Sequence, residues 1–390
     1  MPWKEANVVE LRTEFIKRAL CDDLPFSTLC REYGISPKTG YKWKQRFLRE
    51  GLPGLADMSR RPISCPTAVT EDVVCELVRL KNLHPRWGPK KIRELFIKAH
   101  PTKPSVSLSS VKRVLGKSGL VKPRRRYRKA QHCGRIANPL VPTAPNQVWT
   151  VDFKGWWYSP DRRRVMPLTV RDAFSRYVLL VQAVPDARME TVKECFCRLF
   201  TDYGLPLAIR SDNGTPFACT RAPLGLSRLS AWWVALGISL DRIAPGHPEQ
   251  NGSHERMHRD IAIEVEGRVN GGLALQQAAL DIWRREYNEV RPHEALGMSR
   301  PAELYFKSER RFDPTPVALE YPLGYLRRMV NPNGCIRLAS RWVYVSSAVC
   351  DWDLGLQPLE SGLFNVWLGQ LQLGNLNQQD EKFTAIGCSQ

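Results

Sequence analysis

Val148-Trp149-Thr150-Val151-Asp152-Phe153-Lys154 alternates without a break. Successive side chains of a strand point to opposite faces, so Trp149, Val151 and Phe153 share one face and Thr150, Asp152 and Lys154 the other. The pattern predicts a strand with one apolar face and a carboxylate in its middle, where Asp is unfavourable unless it has a partner or a task. Two more strand patterns follow at 165–170 and 177–184. They are joined by Asp172-Ala-Phe-Ser-Arg176, in which Asp172 reads as a turn residue bonding backbone near Ser175. A helix is predicted at 189–203. A short buried strand at 207–211 then stops at Asp212-Asn213-Gly214. Asn-Gly makes a tight turn, so Asp212 stands at the strand's mouth, where open α/β sheets place their ligands.

Beyond an apolar helix at 229–236 and a strand at 238–243, the chain reads Pro245-Gly-His-Pro-Glu-Gln-Asn-Gly-Ser-His-Glu-Arg-Met-His258. A helix is predicted to begin near Ser253, with Met257, Ile261 and Val265 as its core stripe. Glu255 lies about 200° round that helix from Met257 and is therefore off the stripe. Asp152, Asp212 and Glu255 are three carboxylates that a compact fold could bring together without burying them in the core.

The charge of the chain is unevenly placed. Residues 1–140 carry 30 Lys and Arg against 12 Asp and Glu, whereas the remaining 28 and 27 almost cancel. A basic third joined to a neutral body points to an anionic polymer partner, nucleic acid first. Val8, Leu11, Phe15 and Ala19 predict one amphipathic helix, and residues 26–33 a second, ended by Gly34. Ser36 and Pro37, a good N-cap and a favoured first helical residue, open a third. This is the helix-turn-helix pattern. Lys38, Lys42, Trp43, Gln45 and Arg46 on its third helix are the candidate DNA contacts, as a helix in a major groove requires. A second helical unit follows residues 51–70, which are rich in Gly, Pro and Ser. Its candidate contacts are Arg86, Lys90, Lys91, Lys112 and Arg113. The run from Lys122 to Lys129, with Arg124, Arg125, Arg126 and Arg128, is too basic to pack and is expected to lie on phosphates as an arm. Asp-Pro-Thr-Pro from Asp313 marks another linker, and short β-rich runs at 335–338, 341–345, 364–368 and 370–373 predict a small β-barrel or sheet.

Other classes are disfavoured. Apolar residues make up 43% and charged residues 25% of the 390, which excludes wholesale disorder. The sequence has no apolar run of the roughly 18 residues a membrane span needs and no apolar signal-peptide core. Its eleven cysteines are scattered without a CxxC pair, which suits a reducing cytosol and argues against zinc ribbons.

At this point the sequence resembles a known family. Trp149-Thr-Val-Asp152, Ser211-Asp-Asn-Gly214 and Pro248…Asn251-Gly-Ser-His-Glu255-Arg resemble the three catalytic blocks of the integrase-core transposases. These are bacterial insertion-sequence enzymes related to retroviral integrases. Tyr287-Asn-Glu-Val-Arg-Pro-His-Glu-Ala-Leu296, followed by Pro301-Ala-Glu-Leu-Tyr305, resembles the segment that closes their core. The resemblance spans roughly residues 5–310 and implies a ribonuclease-H-like α/β core. It implies a DDE triad of Asp152, Asp212 and Glu255 that holds two Mg²⁺ or Mn²⁺ ions. It also implies cleavage at the 3′ ends of an insertion sequence bounded by terminal inverted repeats, joining of those ends to target double-stranded DNA, and a homo-oligomer on DNA in the bacterial cytoplasm and nucleoid. The expected division is a helix-turn-helix domain at 1–55, a linker at 56–70 and a second helix-turn-helix-like domain at 71–121. A basic linker at 122–143, the catalytic core at 144–312 and a small β-rich domain at 313–390 complete it. Between Asp212 and Glu255 lie 42 residues, more than the thirty-odd common in the superfamily, and the surplus is assigned to an inserted loop at 219–229.

Two alternatives compete. His254-Glu-Arg-Met-His258 is a literal HExxH, the zinc-peptidase pattern. Ile261 and Glu264 occupy the Gly and His places of its extended form, and no downstream residue is marked as a third ligand. The other alternative, a catalytically silent DNA-binding regulator, has no support in the residues, because all three carboxylates are present.

Overall fold

The computed structural model describes residues 7–22, 24–58, 68–121, 140–219, 222–243 and 252–386. The arm residues Arg124, Arg125, Arg126 and Arg128, and the stretch from Pro245 to Asn251, lie outside them. The chain divides into two compact units, Met1–Thr70 and Glu71–Gln390.

In the first unit, α1 (Val8–Cys21), α2 (Phe26–Glu32) and α3 (Pro37–Glu50) enclose a core of Phe15, Ile16, Ala19, Leu29, Cys30, Trp43 and Leu55. Asn7 caps α1 by accepting from the Val9 amide, and Ser36 caps α3 by accepting from that of Thr39. Gly40 lets α3 approach α2 closely, because a Cβ there would stand 2.6 Å from Cys30 Sγ.

The second unit opens with α4 (Glu71–Leu83), α5 (Pro89–Ala99) and α6 (Leu108–Lys117), whose stripes Val73/Leu77/Leu80, Ile92/Leu95/Phe96 and Val111/Val114/Leu115 are buried. An α/β core follows. It comprises β1 (Val148–Phe153), β2 (Trp157–Tyr158), β3 (Arg164–Asp172), β4 (Val178–Val184), α7 (Met189–Tyr203), β5 (Ala208–Ser211), α8 (Arg228–Ala235), β6 (Ser239–Arg242), α9 (Gly252–Glu264), α10 (Leu273–Arg285) and α11 (Pro301–Leu304). The strands form one sheet in the order β4-β3-β1-β5-β6, with β2 also on β3. β3 runs antiparallel to β1 and β4, and β5 runs parallel to β1 and β6. This is the ribonuclease-H-like arrangement expected.

Both faces of the sheet are covered. Trp149 and Val151 of β1 pack with Phe196 and Phe200 of α7 and Trp233 of α8. On the opposite face, Met257, Ile261 and Val265 of α9 pack with Leu280 and Trp283 of α10 and Val178 and Val181 of β4. The α9 stripe is the one read from the sequence, and Glu255 is exposed beside it.

The C-terminal region is β-rich: β7 (Leu326–Met329), β8 (Cys335–Leu338), β9 (Arg341–Tyr344), β10 (Asp353–Pro358), β11 (Leu363–Leu368), β12 (Leu371–Asn377) and β13 (Lys382–Ala385). Five strands form a sheet in the order β13-β12-β11-β10-β7, and β8–β9 is a separate hairpin. Its core includes Leu226, Ala231 and Ala235. The stretch predicted as a surplus loop thus supplies a buried side chain, Leu226, to the C-terminal core. Strands β2, β7, β10 and β13 were not expected. Leu326-Arg-Arg-Met329 does not alternate, and β10 contains Gly355 and ends at Pro358, both poor strand signals. Among the described residues no helix is long and apolar enough to cross a membrane.

Candidate active site

Two adjacent parallel strands set the first two carboxylates. β1 and β5 pair with Val148 opposite Ala208, Trp149 opposite Ile209 and Thr150 opposite Arg210. Continuing that register by two residues would set Asp212, one residue past the end of β5, opposite Asp152, and the Asp212 charge does act on the Asp152 carboxyl. Asp212 is held in an Asx turn: its Oδ1 accepts from the Gly214 amide at 3.2 Å. Asn213 ties the turn to the sheet by donating from Nδ2 to the Ile243 carbonyl at 2.8 Å.

Glu255 arrives on the first turn of α9. Arg171 of β3 fixes that turn from below. Its fully buried guanidinium donates to the Ser253 carbonyl at 3.0 Å and to Ser253 Oγ at 2.6 Å. Burial first and then the charge of Asp212 push the Asp152 carboxyl up to about 7, against a lowering by the Phe153 amide and with a smaller rise from Glu255. Asp152 therefore feels both other carboxylates. Among the described residues no three His, Cys, Asp or Glu side chains are drawn close enough to enclose a metal ion. The donors are nevertheless of the right kind: oxygen ligands of like charge, one with its proton affinity raised by burial and then by the others, suit a hard divalent cation.

The imidazoles of the HExxH motif face the sheet. His254 is fully buried, with Nδ1 2.9 Å from Thr150 Oγ1. The Nε2 atoms of His254 and His258 both lie 2.7 Å from Thr169 Oγ1. His258 Nδ1 stands 3.9 Å from Asp152 Oδ2. Burial first, then the charges of Lys154 and Arg171, hold His258 down to about 3. Burial, with His258 and Arg171, holds His254 well below its ordinary value. Both rings are neutral near pH 7. A zinc-peptidase site needs the two rings directed at one ion, and here both are directed at one hydroxyl.

Asp172 is fully buried and behaves as the turn residue expected. Its Oδ2 accepts from the Ser175 amide at 2.7 Å and from Ser175 Oγ at 2.6 Å, and its Oδ1 accepts from the Asn146 amide at 2.8 Å.

The candidate DNA contacts separate into two groups. Lys38, Lys42 and Gln45 on α3 are exposed and Arg46 is half-buried, and Arg86, Lys112 and Arg113 in the second unit are exposed. Trp43 differs from expectation. It is 8% exposed and covered by the Arg12 guanidinium at 3.9 Å, so its ring packs rather than projects. Lys90 pairs with Glu294. Lys91 is turned inward, and burial and then the Arg291 charge bring it down to about 8.

Sequence reasoning missed the group these lysines join. Lys98 reaches Glu303 at 2.9 Å, His84 Nδ1 lies 3.1 Å from Glu286, and the Arg291 guanidinium stands 5.4 Å from the Trp87 ring. Arg291 also donates to Asp260 at 2.9 Å and to Glu264, both on α9. The α4–α6 module thus docks on the segment that braces the helix carrying Glu255. The available signal was Trp87 between two prolines, an aromatic in a turn that otherwise had nothing to pack on.

Comparison with known proteins agrees with this architecture. Residues 142–248 and 236–301 match two models of the integrase core domain. Residues 11–63 match a helix-turn-helix domain and 39–115 a homeodomain-like domain. The insertion element IS407 uncharacterized 31.7 kDa protein of Burkholderia multivorans is 30% identical over 258 residues, covering 65% of this chain and 88% of that protein. The insertion element IS476 uncharacterized 39.2 kDa protein of Xanthomonas euvesicatoria is 29% identical over 256 residues, covering 65% and 70%. Among solved structures, the catalytic core domain of BIV integrase is similar at 23% identity and a TM-score of 0.32, over 41% of this chain and 93% of its own. A simian T-cell lymphotropic virus intasome in complex with PP2A regulatory subunit B56 gamma is similar at 12% identity and a TM-score of 0.38, over 76% and 97%.

Proposed function

Because the chain belongs to the insertion-sequence transposases with an integrase-type core, we propose that it binds the terminal inverted repeats of its element, cleaves their 3′ ends and joins them to target DNA. The observation that carries this reading is the Asp152 carboxyl, on a strand paired in parallel with the one that Asp212 follows, and raised to about 7 by burial and by the charges of Asp212 and Glu255. Asp152, Asp212 and Glu255 would hold two Mg²⁺ or Mn²⁺ ions. When bound, such ions help form the attacking oxygen nucleophile and stabilise the leaving 3′ oxygen.

The chain's own part is positioning. Lys38, Lys42, Gln45 and Arg46 of α3 in the first unit, and Arg86, Lys112 and Arg113 in the second, hold duplex DNA through phosphates and base edges. The arm containing Arg124, Arg125, Arg126 and Arg128 adds phosphate contacts. Lys90, Lys91 and Trp43 are assigned to the fold. Two ends must be handled together, so the working form is a homo-oligomer on DNA.

The test is a labelled duplex carrying the repeat that flanks the gene, incubated with Mg²⁺ or Mn²⁺ and scored for nicking and joining. Asp152→Asn, Asp212→Asn and Glu255→Gln should each abolish both steps and leave end binding intact. Each removes a charge at constant size, and residues that act as a unit fail singly. Activity of Glu255→Gln near wild type, with Glu264→Gln inactive, would overturn the placement of the third carboxylate. If all three variants stay active, the DDE reading is wrong. If the wild type binds the ends and never nicks them, the chain is a regulator.

A further inference from the structure

Past Asp152 the chain keeps pairing with β3 and forms a hairpin with it. Between the pairs Phe153–Leu168 and Trp157–Val165 lie residues 154–156 on one side and only 166–167 on the other. This bulge, with Gly155 at φ +92°, changes which side chains face the body of the protein. Trp157 turns inward. It is 7% exposed, donates from Nε1 to Gln276 Oε1 of α10 at 3.2 Å and has the Lys154 ammonium 4.7 Å from its ring. Its two neighbours turn outward together. Trp156 is 51% and Tyr158 63% exposed, and their rings meet edge to face with centres 5.1 Å apart. The Arg164 guanidinium stands 5.0 Å from the Trp156 ring, and Arg162 and Arg163 in the turn are exposed. Asp161 of the same turn accepts from the Ser159 hydroxyl and lies 3.6 Å from Arg163 Nε. The turn itself is closed by the Ser159 amide, which donates to the Arg163 carbonyl at 2.9 Å, and by the Arg162 amide, which donates to the Ser159 carbonyl at 2.8 Å.

A single apolar side chain on a surface is ordinary. Two rings in contact, a guanidinium over one of them and two further arginines alongside are the means by which proteins hold a single strand, its bases by their faces and its backbone by charge. We propose that Trp156, Tyr158 and Arg164, with Arg162 and Arg163, form a stacking platform for unpaired DNA beside the bond that is cut. The ladder gives its position. Trp157 opposes Val165, four residues before Thr169, which pairs with Asp152, so the hairpin lies about 13–17 Å beyond that carboxylate along β3. The location beside a cut bond rests on the function proposed above, whereas the affinity for an unpaired strand does not. A base inside a duplex has both faces covered by its neighbours, so the platform selects a strand that has left the pair. Lysines and arginines on helices that meet phosphates cannot make that distinction.

The test measures binding of the full chain, in a chelator so that nothing is cut, to two probes. One is the flanking repeat as a blunt duplex, and the other is the same duplex opened into a fork of about five unpaired nucleotides per strand. 2-Aminopurine in the fork reports stacking by loss of its emission. The wild type should bind the fork about tenfold more tightly than the blunt duplex, the low end for one stacked base, and should quench the probe. Trp156→Ala combined with Tyr158→Ala should bring the fork down to the blunt-duplex affinity and leave the latter within about twofold. Trp156→Phe keeps a ring and should keep most of the preference. A wild type that binds both probes equally and leaves 2-aminopurine bright overturns the platform even if no variant folds. So does a folded double variant as selective as the wild type, including one that differs only in its oligomeric state on sedimentation, which would make the patch a contact between copies. If the wild type prefers and quenches the fork but never nicks the repeat with Mg²⁺, the platform stands and the cleavage reading falls. Nicking without fork preference gives the reverse.

Discussion

Asp152 holds its proton more tightly in the folded chain than a free aspartate does, at about 7 against about 4. The linkage has a definite sign. Between those values the folded state binds more protons than the unfolded one, so stability falls as pH rises from about 4 to about 7 and stays reduced above. Three units correspond to roughly 4 kcal/mol at most. Thermal unfolding in a chelator should therefore show Asp152→Asn more stable than wild type at pH 8, with no gain at pH 4. An equal difference at both pH values would mean that the carboxyl is not strained by its neighbours. Asp172 behaves oppositely. Both of its oxygens accept from protein donors, and an amide can supply only one accepting oxygen. Asp172→Asn should lower stability by about 1–3 kcal/mol in denaturant titration, while the folded protein keeps its Mn²⁺ affinity. The sequence placed both aspartates correctly because their neighbours are local: an alternating strand for one, a Ser three residues on for the other. The histidines were harder. HExxH spacing says that two rings share a helix face, and whether an ion or a hydroxyl lies opposite depends on Thr169, 85 residues earlier.

Helix α9 is fixed on two sides by different physics. Toward the sheet it is held by Arg171, Thr150 and Thr169 through hydrogen bonds. Farther along, Asp260 and Glu264 are held by Arg291, whose side chain is 2% exposed. Removing one partner of a buried ion network leaves the others uncompensated and costs about 3–5 kcal/mol. Arg291→Ala should cost that much in denaturant titration and should weaken metal binding through the displaced helix. A loss below about 1 kcal/mol would show that the network is solvated. Helices and central strands were legible because apolar periodicity reports burial directly. The docking of α4–α6 was not. Lys90 reads as a DNA contact because a lysine does not encode what anion it meets, and Glu294 stands about two hundred residues away. Trp43 was misassigned for a related reason. Its basic neighbours Lys42, Lys44 and Arg46 suggested a groove, while its own ring belongs to the core with Phe15 and Leu29.

Across the whole molecule, the excess of positive charge before residue 140 predicts binding to duplex DNA that weakens by about 10³–10⁵ between 50 and 200 mM salt if six to ten phosphates are met. A fluorescence-anisotropy series over that range checks it, and a flat profile would remove the electrostatic basis of the DNA reading. The C-terminal sheet makes a second prediction. Leu226, Ala231 and Ala235 lie in its core, so a chain ended at residue 312 would expose them with the rest of that apolar face. Such a truncation should aggregate or unfold at lower temperature than the full chain, as light scattering during a melt would show. Equal solubility and equal melting would mean that the sheet is a removable appendage. A Pro-rich joint at Asp313 invited that view, because linker composition marks where the backbone bends and carries no information about which side chains meet afterwards.

The placement of Asp212 just past the end of a strand paired with that of Asp152 has a consequence for how such a gene decays. The pairing is measured by a ladder whose tick is one residue, about 3.3 Å, whereas a cation tolerates its donors only to about 0.2 Å. One extra codon between Ser211 and Asp212 would leave β5 and its partners untouched and carry the carboxylate a full tick away, onto the other side of the chain. On the function proposed above, a copy so altered would fold and seat its helices on DNA without cleaving the ends, and would compete for them with intact copies. The smallest in-frame insertion at this point would then turn a transposase into an inhibitor of its own kind.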